Sequence, residues 1–295
     1  MDIFKIADNE QGLSNDEIAK LLEQSLEGRT LKNVLVIPPD FTRFHSNAGF
    51  ITQVYYKLLT ERGVQVDILP ALGTHVPVSE TQWKTMFGDI PYSKMIVHNW
   101  RTDVVKLGEV PADAVKEISE GLWTDPVAVE VNRLVMDEKY DLIISPGQVV
   151  PHEVIGMANH AKNLFVGCGG ADMINKSHMI GAVCGMEKAM GRDHTPVRRL
   201  FDYAFDHYVA QRPILWVLTV NTAPGGKICC TAFSSAKGAI VSPRQSSSRR
   251  RRTSTTWSTE SRSAWYTSIR RSLRPHGSAT SPYTARAWRW PTAAN

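Results

Sequence analysis

Residues 140–183, YDLIISPGQVVPHEVIGMANHAKNLFVGCGGADMINKSHMIGAV, decide how the rest of the chain is read. The apolar run Leu142-Ile143-Ile144 has the length of a buried strand and is punctuated by Ser145-Pro146-Gly147. Beyond it stand three groups capable of chemistry: His152, then Lys162 ten residues on, then His178 sixteen further. Five glycines from Gly147 to Gly170 would let backbone approach a ligand closely. An imidazole, an amine and a second imidazole can supply a base, a covalent anchor and a metal ligand. Taken singly, each is better read as a solvated lysine or a satisfied histidine.

Upstream, the chain alternates strand and helix patterns. Leu13-Ser14-Asn15-Asp16-Glu17 resembles a capping box ahead of the helical spacing of IAKLLEQSL. Val34–Ile37 reads as a strand stopped by Pro38-Pro39, and GFITQVYYKLLTERG as a helix ended by Gly63. VQVDILPALGTH reads as a strand leading to the turn Gly73-Thr74-His75. A short helix is expected over Thr81–Met86 and a further strand over Lys94–Asn99. Downstream, PVRRLFDYAFDHYV has helical spacing and ILWVLTVNT reads as a strand. The expected fold is α/β: a parallel-sheet N-terminal domain with helices on both faces, followed by an incomplete second α/β domain. Gln211-Arg212-Pro213 marks the entry to that second domain, and PGGKICC leads into a strand that is not completed. The boundaries fall at residues 1–205, 206–230 and 231–295.

In open parallel sheets, ligands collect beyond the carboxyl ends of the strands. Three polar clusters share that position: Asp40-Phe41-Thr42-Arg43, Gly73-Thr74-His75 and Pro146–His152. Together they point to a cleft, where one alone would be an ordinary loop. Arg43 offers a planar fork for a substrate carboxylate, with Asp40 beside it to hold a neighbouring imidazole. An Asp–Arg pair bracing a turn fits the same residues equally well. His75 and His152, from different strand ends, could face one another across a ligand. Two such bases suit a reaction that takes hydrogen from one face of a carbon and restores it on the other.

Charge is unevenly shared. Residues 243–295 hold eleven arginines, no lysine and Glu260 as the sole acid, a net +10. The remainder has 23 Lys+Arg against 28 Asp+Glu and is mildly acidic. The four cysteines, Cys168, Cys184, Cys229 and Cys230, form no C-x-x-C pair and no framework spacing, so reduced thiols in a cytoplasm are expected. The polar N-terminus does not read as a signal peptide, and no apolar run reaches the roughly 18 residues of a membrane span.

From Thr231 the composition turns to serine, arginine, threonine and tryptophan, and periodicity is lost. A disordered tail or an arginine-rich nucleic-acid arm would explain the arginines, but Trp257, Trp265, Trp288 and Trp290 suit the first poorly. A frameshift explains both. Back-translated and read two nucleotides later, TAFSSAKGAIVSPRQSSS becomes GLLIGKGRDCFSAAVKL, a strand-turn-helix pattern. The same shift turns SATSPYTARAWRWPTAAN into LGNKPVYRTRMALADGGE.

Over about its first 230 residues the chain resembles the nickel-dependent lactate racemase family. The resemblance rests on Asp40-Phe41-Thr42-Arg43, Gly73-Thr74-His75, Pro151-His152 and the pair Lys162 and His178, in that order and spacing. The recovered LGNKPVYRTRMALADGGE is similar to the end of such proteins. The resemblance implies a nickel pincer nucleotide, a pyridinium dithio-derivative of nicotinate, tethered as a thioamide at Lys162 with His178 completing the nickel coordination. His75 and His152 would be opposed bases, Asp40 would orient His75, and Arg43 would lie near the substrate carboxylate. In the family mechanism a histidine takes the hydroxyl proton while hydride passes from C2 to the pyridinium ring, then returns to either face. Hydride transfer avoids the dianion that simple proton abstraction beside a carboxylate would create, and the cofactor carries the hard chemistry.

The resemblance also implies maturation proteins that build and insert the cofactor, and a small 2-hydroxy acid as the other partner. Relatives often read Ser-Gly-Gly-Arg-Lys where this chain has Ala158-Asn159-His160-Ala161-Lys162. A larger 2-hydroxy acid, such as an aldonic or sugar acid, therefore fits as well as lactate. With most of the second domain absent or scrambled, impaired activity is expected of this polypeptide. Two other classes compete. His75, His152 and His178 could ligate a hydrolytic zinc, all three within about 2.1 Å of the metal. The arginine tail could bind nucleic acid, although the acidic body offers no docking surface for it.

Overall fold

The computed structural model describes residues 2–158, 160–223 and 226–237. The chain opens with β1 (Ile3–Ile6), α1 (Asn15–Ser25), β2 (Asn33–Val36), a 3₁₀ turn (Phe41–Ser46) and α2 (Ala48–Glu61). Next come β3 (Gln65–Ile68), α3 (Glu80–Phe87), β4 (Val104–Val110), α4 (Ala112–Ile118), β5 (Val127–Asn132) and α5 (Arg133–Met136). Then follow β6 (Leu142–Gln148), the short pair β7 (Pro151–His152) and β8 (Gly156–Met157), and a π-helical turn (Asn163–Gly167). The described part closes with α6 (Ala171–Val183), α7 (Met186–Ala189), α8 (Pro196–Tyr208), β9 (Ile214–Thr222) and β10 (Cys229–Lys237).

Six strands form one sheet in the order β1-β10-β9-β6-β2-β3. The four from β9 to β3 are parallel, and β10 and β1 extend the β9 edge antiparallel. Strands buried on both faces need apolar residues at every position, which explains the unbroken runs in the sequence. Val34 and Val36 pack with Ile18, Leu22, Tyr55 and Trp83 from α1–α3. Leu35 and Ile37, pointing the other way, join Phe165, Phe201, Phe205 and Trp216. Local chemistry sets the helix ends: Ser14 and Glu17 cap α1 reciprocally, and Gly63 (φ 74°) takes the left-handed turn just past α2.

The α/β reading with helices on both faces holds, and three local expectations are corrected. Lys94–Asn99 is not a strand: it contributes one isolated bridge, Ile68 to Met95, after a 3₁₀ turn at Tyr92–Lys94. The second sheet is instead the antiparallel pair β4–β5, interrupted by a bulge between Lys106 and Gly108. At the other end, β9 pairs with β6 from Ile143–Ile214 to Gln148–Thr219, so residues past 205 complete the first sheet rather than begin a separate domain. The strand expected to remain unfinished also arrives. β10 runs through Lys237, so Thr231–Lys237 belong to the sheet and not to a tail. The rest of the tail, 238–295, lies outside the described residues. Among the described residues no helix is long and apolar enough to cross a membrane.

Candidate active site

From β2 the chain passes to β3 on one side, and the later β6 pairs on the other side of β2. That reversal of direction is the switch point at which parallel sheets open a crevice at their carboxyl edge. Asp40 leaves β2 at this edge, His75 follows β3, and His152 follows β6. The fourth parallel strand also reaches the edge. Thr219 Oγ1 donates to the Ser46 carbonyl at 2.9 Å and Asn221 Nδ2 to the His45 carbonyl at 3.2 Å, fastening the turn that carries Arg43.

Asp40 is buried and caps the 3₁₀ turn through Oδ1, which accepts the Thr42 amide and hydroxyl at 3.2 and 2.5 Å. Its Oδ2 accepts Nδ1–H of His75 at 2.5 Å. The His75 side chain is 58% exposed against 7% for Asp40. A carboxylate that holds Nδ1–H fixes the neutral tautomer and leaves a lone pair on Nε2, the arrangement of an oriented general base. The loop is tied down behind it, since Gly73 N–H donates to the Gly167 carbonyl at 2.8 Å and His75 N–H to Leu72 at 2.9 Å. Arg43 sits exposed at a kink in the 3₁₀ turn, φ −106° and ψ 30°.

His152 is presented differently. It is buried on β7, and its Nδ1 accepts the Val154 amide at 3.1 Å. Burial first, then the positive charge of Lys162, pushes its pKa down to about 4; Arg43 and His178 lower it further and Glu153 opposes them. Glu153 in turn is held below the usual carboxylate range, first by its own backbone amide and then by His152, Lys162 and Arg43. Lys162 is pushed down to about 8 by burial, with Arg43 and Arg198 as like charges and Glu153 and Asp40 as opposite ones. These mutual influences bring Asp40, Arg43, His152, Lys162 and His178 into one electrostatic neighbourhood, joined to His75 through Asp40.

Lys162 stands immediately before the π-helical turn, a geometry frequent at functional sites. His178 lies on α6, and its Nδ1–H donates to the Ile174 carbonyl at 2.6 Å. That bond leaves Nε2 as a bare lone pair, as a metal-ligating histidine requires. A depressed lysine pKa provides free amine near neutrality for a covalent bond. The residues present therefore fit a group tethered at Lys162 whose metal is ligated by His178. Helix α6 is anchored to β5 at its start: Asp172 Oδ2 accepts the Ala128 amide at 2.7 Å and Glu130 Oε2 accepts the Asp172 amide at 3.2 Å.

Several sequence readings change. Four of the five glycines face the protein itself: a Cβ at Gly156, Gly167, Gly169 or Gly170 would lie within 2.5 Å of Arg192, Ala71, Phe165 or Glu130 respectively. They allow close packing of the anchor segment, not approach of a ligand. His160, one of the departures from the family pattern, is buried with its ring 4.1 Å from that of Trp216, so the core absorbs it. It has φ 60°, the left-handed region natural to the glycine of that pattern. Among the described residues no three His, Cys, Asp or Glu side chains converge as a metal-ligand set, so the zinc triad of His75, His152 and His178 is not formed.

Sequence reasoning missed Glu153, Arg198 and the brace made by His98 and Asn132. His98 Nε2–H donates to the Gly169 carbonyl at 3.1 Å while Nδ1 accepts from Asn132 Nδ2 at 3.0 Å. Asn132 N–H also holds the Cys168 carbonyl at 2.6 Å, so the brace grips the loop between Lys162 and His178. Glu153 had a signal, its adjacency to His152. The brace had none, because it crosses between distant segments.

Residues 10–191 match a protein family described as the lactate racemase N-terminal domain. No curated protein matches the chain significantly. Among solved structures, a structural-genomics target from Thermotoga maritima is similar at a TM-score of 0.72 and 22% identity, over 79% of this chain and 57% of that one. The lactate racemase apoprotein of Thermoanaerobacterium thermosaccharolyticum is similar at 0.56 and 21% identity, over 75% of this chain and 52% of that one. At these identities the structures establish the fold, and the chain spans little more than half the length of either.

Proposed function

Because the chain belongs to the family of lactate racemase N-terminal domains, we propose that it forms the catalytic half of an enzyme that racemises or epimerises a 2-hydroxy acid at C2. The cofactor is a nickel pincer nucleotide tethered at Lys162, with His178 as a nickel ligand. Bound there, it supplies an electron-poor hydride acceptor. Arg43 pairs with the substrate carboxylate through its planar fork. His75 receives the hydroxyl proton at Nε2 while Asp40 steadies the imidazolium through Nδ1–H. His152, from the neighbouring strand end, is the second imidazole that touches substrate. The anchor segment is held by the Gly73–Gly167 bond and by the His98–Asn132 brace.

The observation that carries this reading is the Asp40–His75 couple beside a lysine whose pKa is lowered to about 8 and which feels both Asp40 and Arg43. Perturbed groups gathered at a switch point favour a catalytic site over a structural ion-pair network. Because the chain matches only 57% and 52% of the solved relatives, complete activity belongs to a frame-restored parent that supplies the remainder, and the chain as written is impaired. Its protein partners are those that build and insert the cofactor, in a cytoplasm that keeps thiols reduced.

The test is to produce the frame-restored parent together with cofactor-biosynthesis proteins. Intact mass, nickel content and interconversion of lactate and aldonic-acid stereoisomers are then measured. An added mass on Lys162, one nickel per chain and exchange at C2 are expected. Stoichiometric nickel on a chain with unmodified Lys162 would defeat the proposal.

A further inference from the structure

We propose that Glu153 is the positioning carboxylate of His152, the counterpart of Asp40 at His75, and that it takes hold of Nδ1–H when His152 carries the proton of the reaction. This rests on the function proposed above and deepens it, giving each imidazole its own carboxylate.

The requirement comes from what racemisation asks of two imidazoles. One must be bare at Nε2 to take the hydroxyl proton, and the other must be protonated there to return one to the carbonyl oxygen. For the opposite enantiomer the two exchange parts. In either part Nδ1, the nitrogen away from the substrate, carries a proton and needs an acceptor. His75 has one, since Asp40 Oδ2 accepts its Nδ1–H at 2.5 Å. His152 at rest does not. Its Nδ1 accepts the Val154 amide at 3.1 Å, so the neutral ring carries its proton on Nε2 and can play neither part.

Glu153 supplies what is missing. Its Oε2 lies 3.7 Å from His152 Nδ1, and among the described residues it is the one carboxylate in ion-pair reach of that ring. The carboxylate is folded back on its own backbone amide, which keeps it beside the ring, while the side chain is 63% exposed and has room to turn. The ring cannot make the approach, because its backbone is held. His152 pairs with Gly156 across the β7–β8 hairpin, and Gly156 has φ 93° with the Arg192 backbone filling the space of a side chain. Thr195 Oγ1 donates to the Ile155 carbonyl at 2.8 Å, fastening the hairpin turn. The movement that closes the gap to a hydrogen bond therefore belongs to Glu153.

Charge decides how much this contact matters. Lys162, Arg43 and His178 all oppose a proton on His152, and Glu153 favours it. The same Lys162 and Arg43 act on Glu153 and keep it ionised, so an acceptor stands ready. Asp40 is buried and bonded before substrate arrives, whereas Glu153 closes on its ring as positive charge forms there. The site thus has one imidazole held in advance and one whose carboxylate is recruited.

Two measurements test the assignment. The first is NMR of the full chain labelled with ¹⁵N in histidine, followed from pH 7 to 4.5, with His152→Gln identifying the resonance. His152 should take up its proton at a pH about 1 lower in Glu153→Gln than in the natural chain, because the opposite charge has gone. An unchanged titration would mean that the carboxylate does not reach the ring, and would overturn the proposal. The second uses the cofactor-loaded, frame-restored parent, mixed rapidly with one pure enantiomer and quenched, and reads the keto acid formed in the first half of the reaction. Each enantiomer has one imidazole as its base. Glu153→Gln should slow the enantiomer served by His152 about tenfold or more and leave the other within about twofold, and Asp40→Asn should show the reverse preference. Equal slowing of both enantiomers by Glu153→Gln, or of neither, would overturn the role and leave the proposed function standing. A parent that forms no keto acid from either enantiomer would remove the function, and this role with it.

Discussion

At the scale of single residues, Asp40 serves two functions that one substitution separates. Asp40→Asn keeps a side-chain oxygen for the Thr42 amide, so the cap survives. Its amide can also donate to His75 Nδ1, which reverses the tautomer and removes the lone pair from Nε2. Turnover should therefore fall roughly 10³–10⁴-fold with the far-UV circular dichroism unchanged. His152 makes a prediction about stability. Its folded pKa, about 4, lies below the ordinary value of 6.5, so the unfolded chain binds the proton more readily. Stability from this group is complete above pH 6.5 and is lost as pH falls towards 4, by about 3 kcal/mol. Buried His98 is shifted the same way, chiefly by burial, and steepens the loss. Urea midpoints between pH 7 and 4.5 should drop more for the natural chain than for His152→Gln; equal slopes would contradict the shift. The six candidate residues were legible as a group because each stands just past a strand end or in the spaced pair that follows β6. Their tautomers were not, since the Val154 and Ile174 partners appear only once a hairpin and a helix have formed.

Elements show where a pattern is readable. Val34–Ile37 and Leu142–Ile144 are unbroken apolar runs, and the structure buries them on both faces. The β4–β5 pair escaped notice for the opposite reason. VVKLGEV is mostly half-buried or exposed and is broken by its bulge, so neither alternation nor a continuous run survives. Lys94–Asn99 has an apolar run, Met95-Ile96-Val97, long enough to mislead, yet pairs at a single bridge. The loop from Phe165 to Gly170 was read correctly as glycine-dependent but for the wrong contact. A Cβ at Gly169 would lie 1.9 Å from the Phe165 carbonyl oxygen and 2.5 Å from its carbon, atoms of backbone that cannot swing aside. Gly169→Ala should cost about 3 kcal/mol, lowering Tm by roughly 6–12 °C. It should also loosen the His98 grip on the Gly169 carbonyl, so Lys162 should acquire its modification more slowly, as read by intact mass. A variant as stable and as readily modified as the parent would show that the loop has room.

On the scale of the whole molecule, the sheet closes later than the sequence suggests, and its last strand is the least comfortable. β10 is buried from Cys229 to Ala236 apart from half-exposed Thr231, a setting that calls for an apolar run. The chain supplies Phe233-Ser234-Ser235 there, and the Ser234 hydroxyl is fully buried with no hydrogen-bond partner among the described residues. A buried hydroxyl without a partner costs about 1–3 kcal/mol. The alternative reading frame passes Leu-Leu-Ile through the same stretch, which is the composition the two covered faces require. The proposed frame change therefore gains a physical argument independent of the tail, where no described residue bears on it. Ser234→Ala removes the stranded group while keeping the strand, so it should leave Tm unchanged or raise it by up to about 4 °C. That is opposite to the destabilisation expected when a satisfied core polar group is deleted. A clear fall in Tm would mean the hydroxyl is bonded and the strand is suited to its sequence. The DNA around codons 228–235 decides the rest: stop codons in the alternative frame would end the frameshift proposal, and an open frame continuing into a second domain would establish the parent.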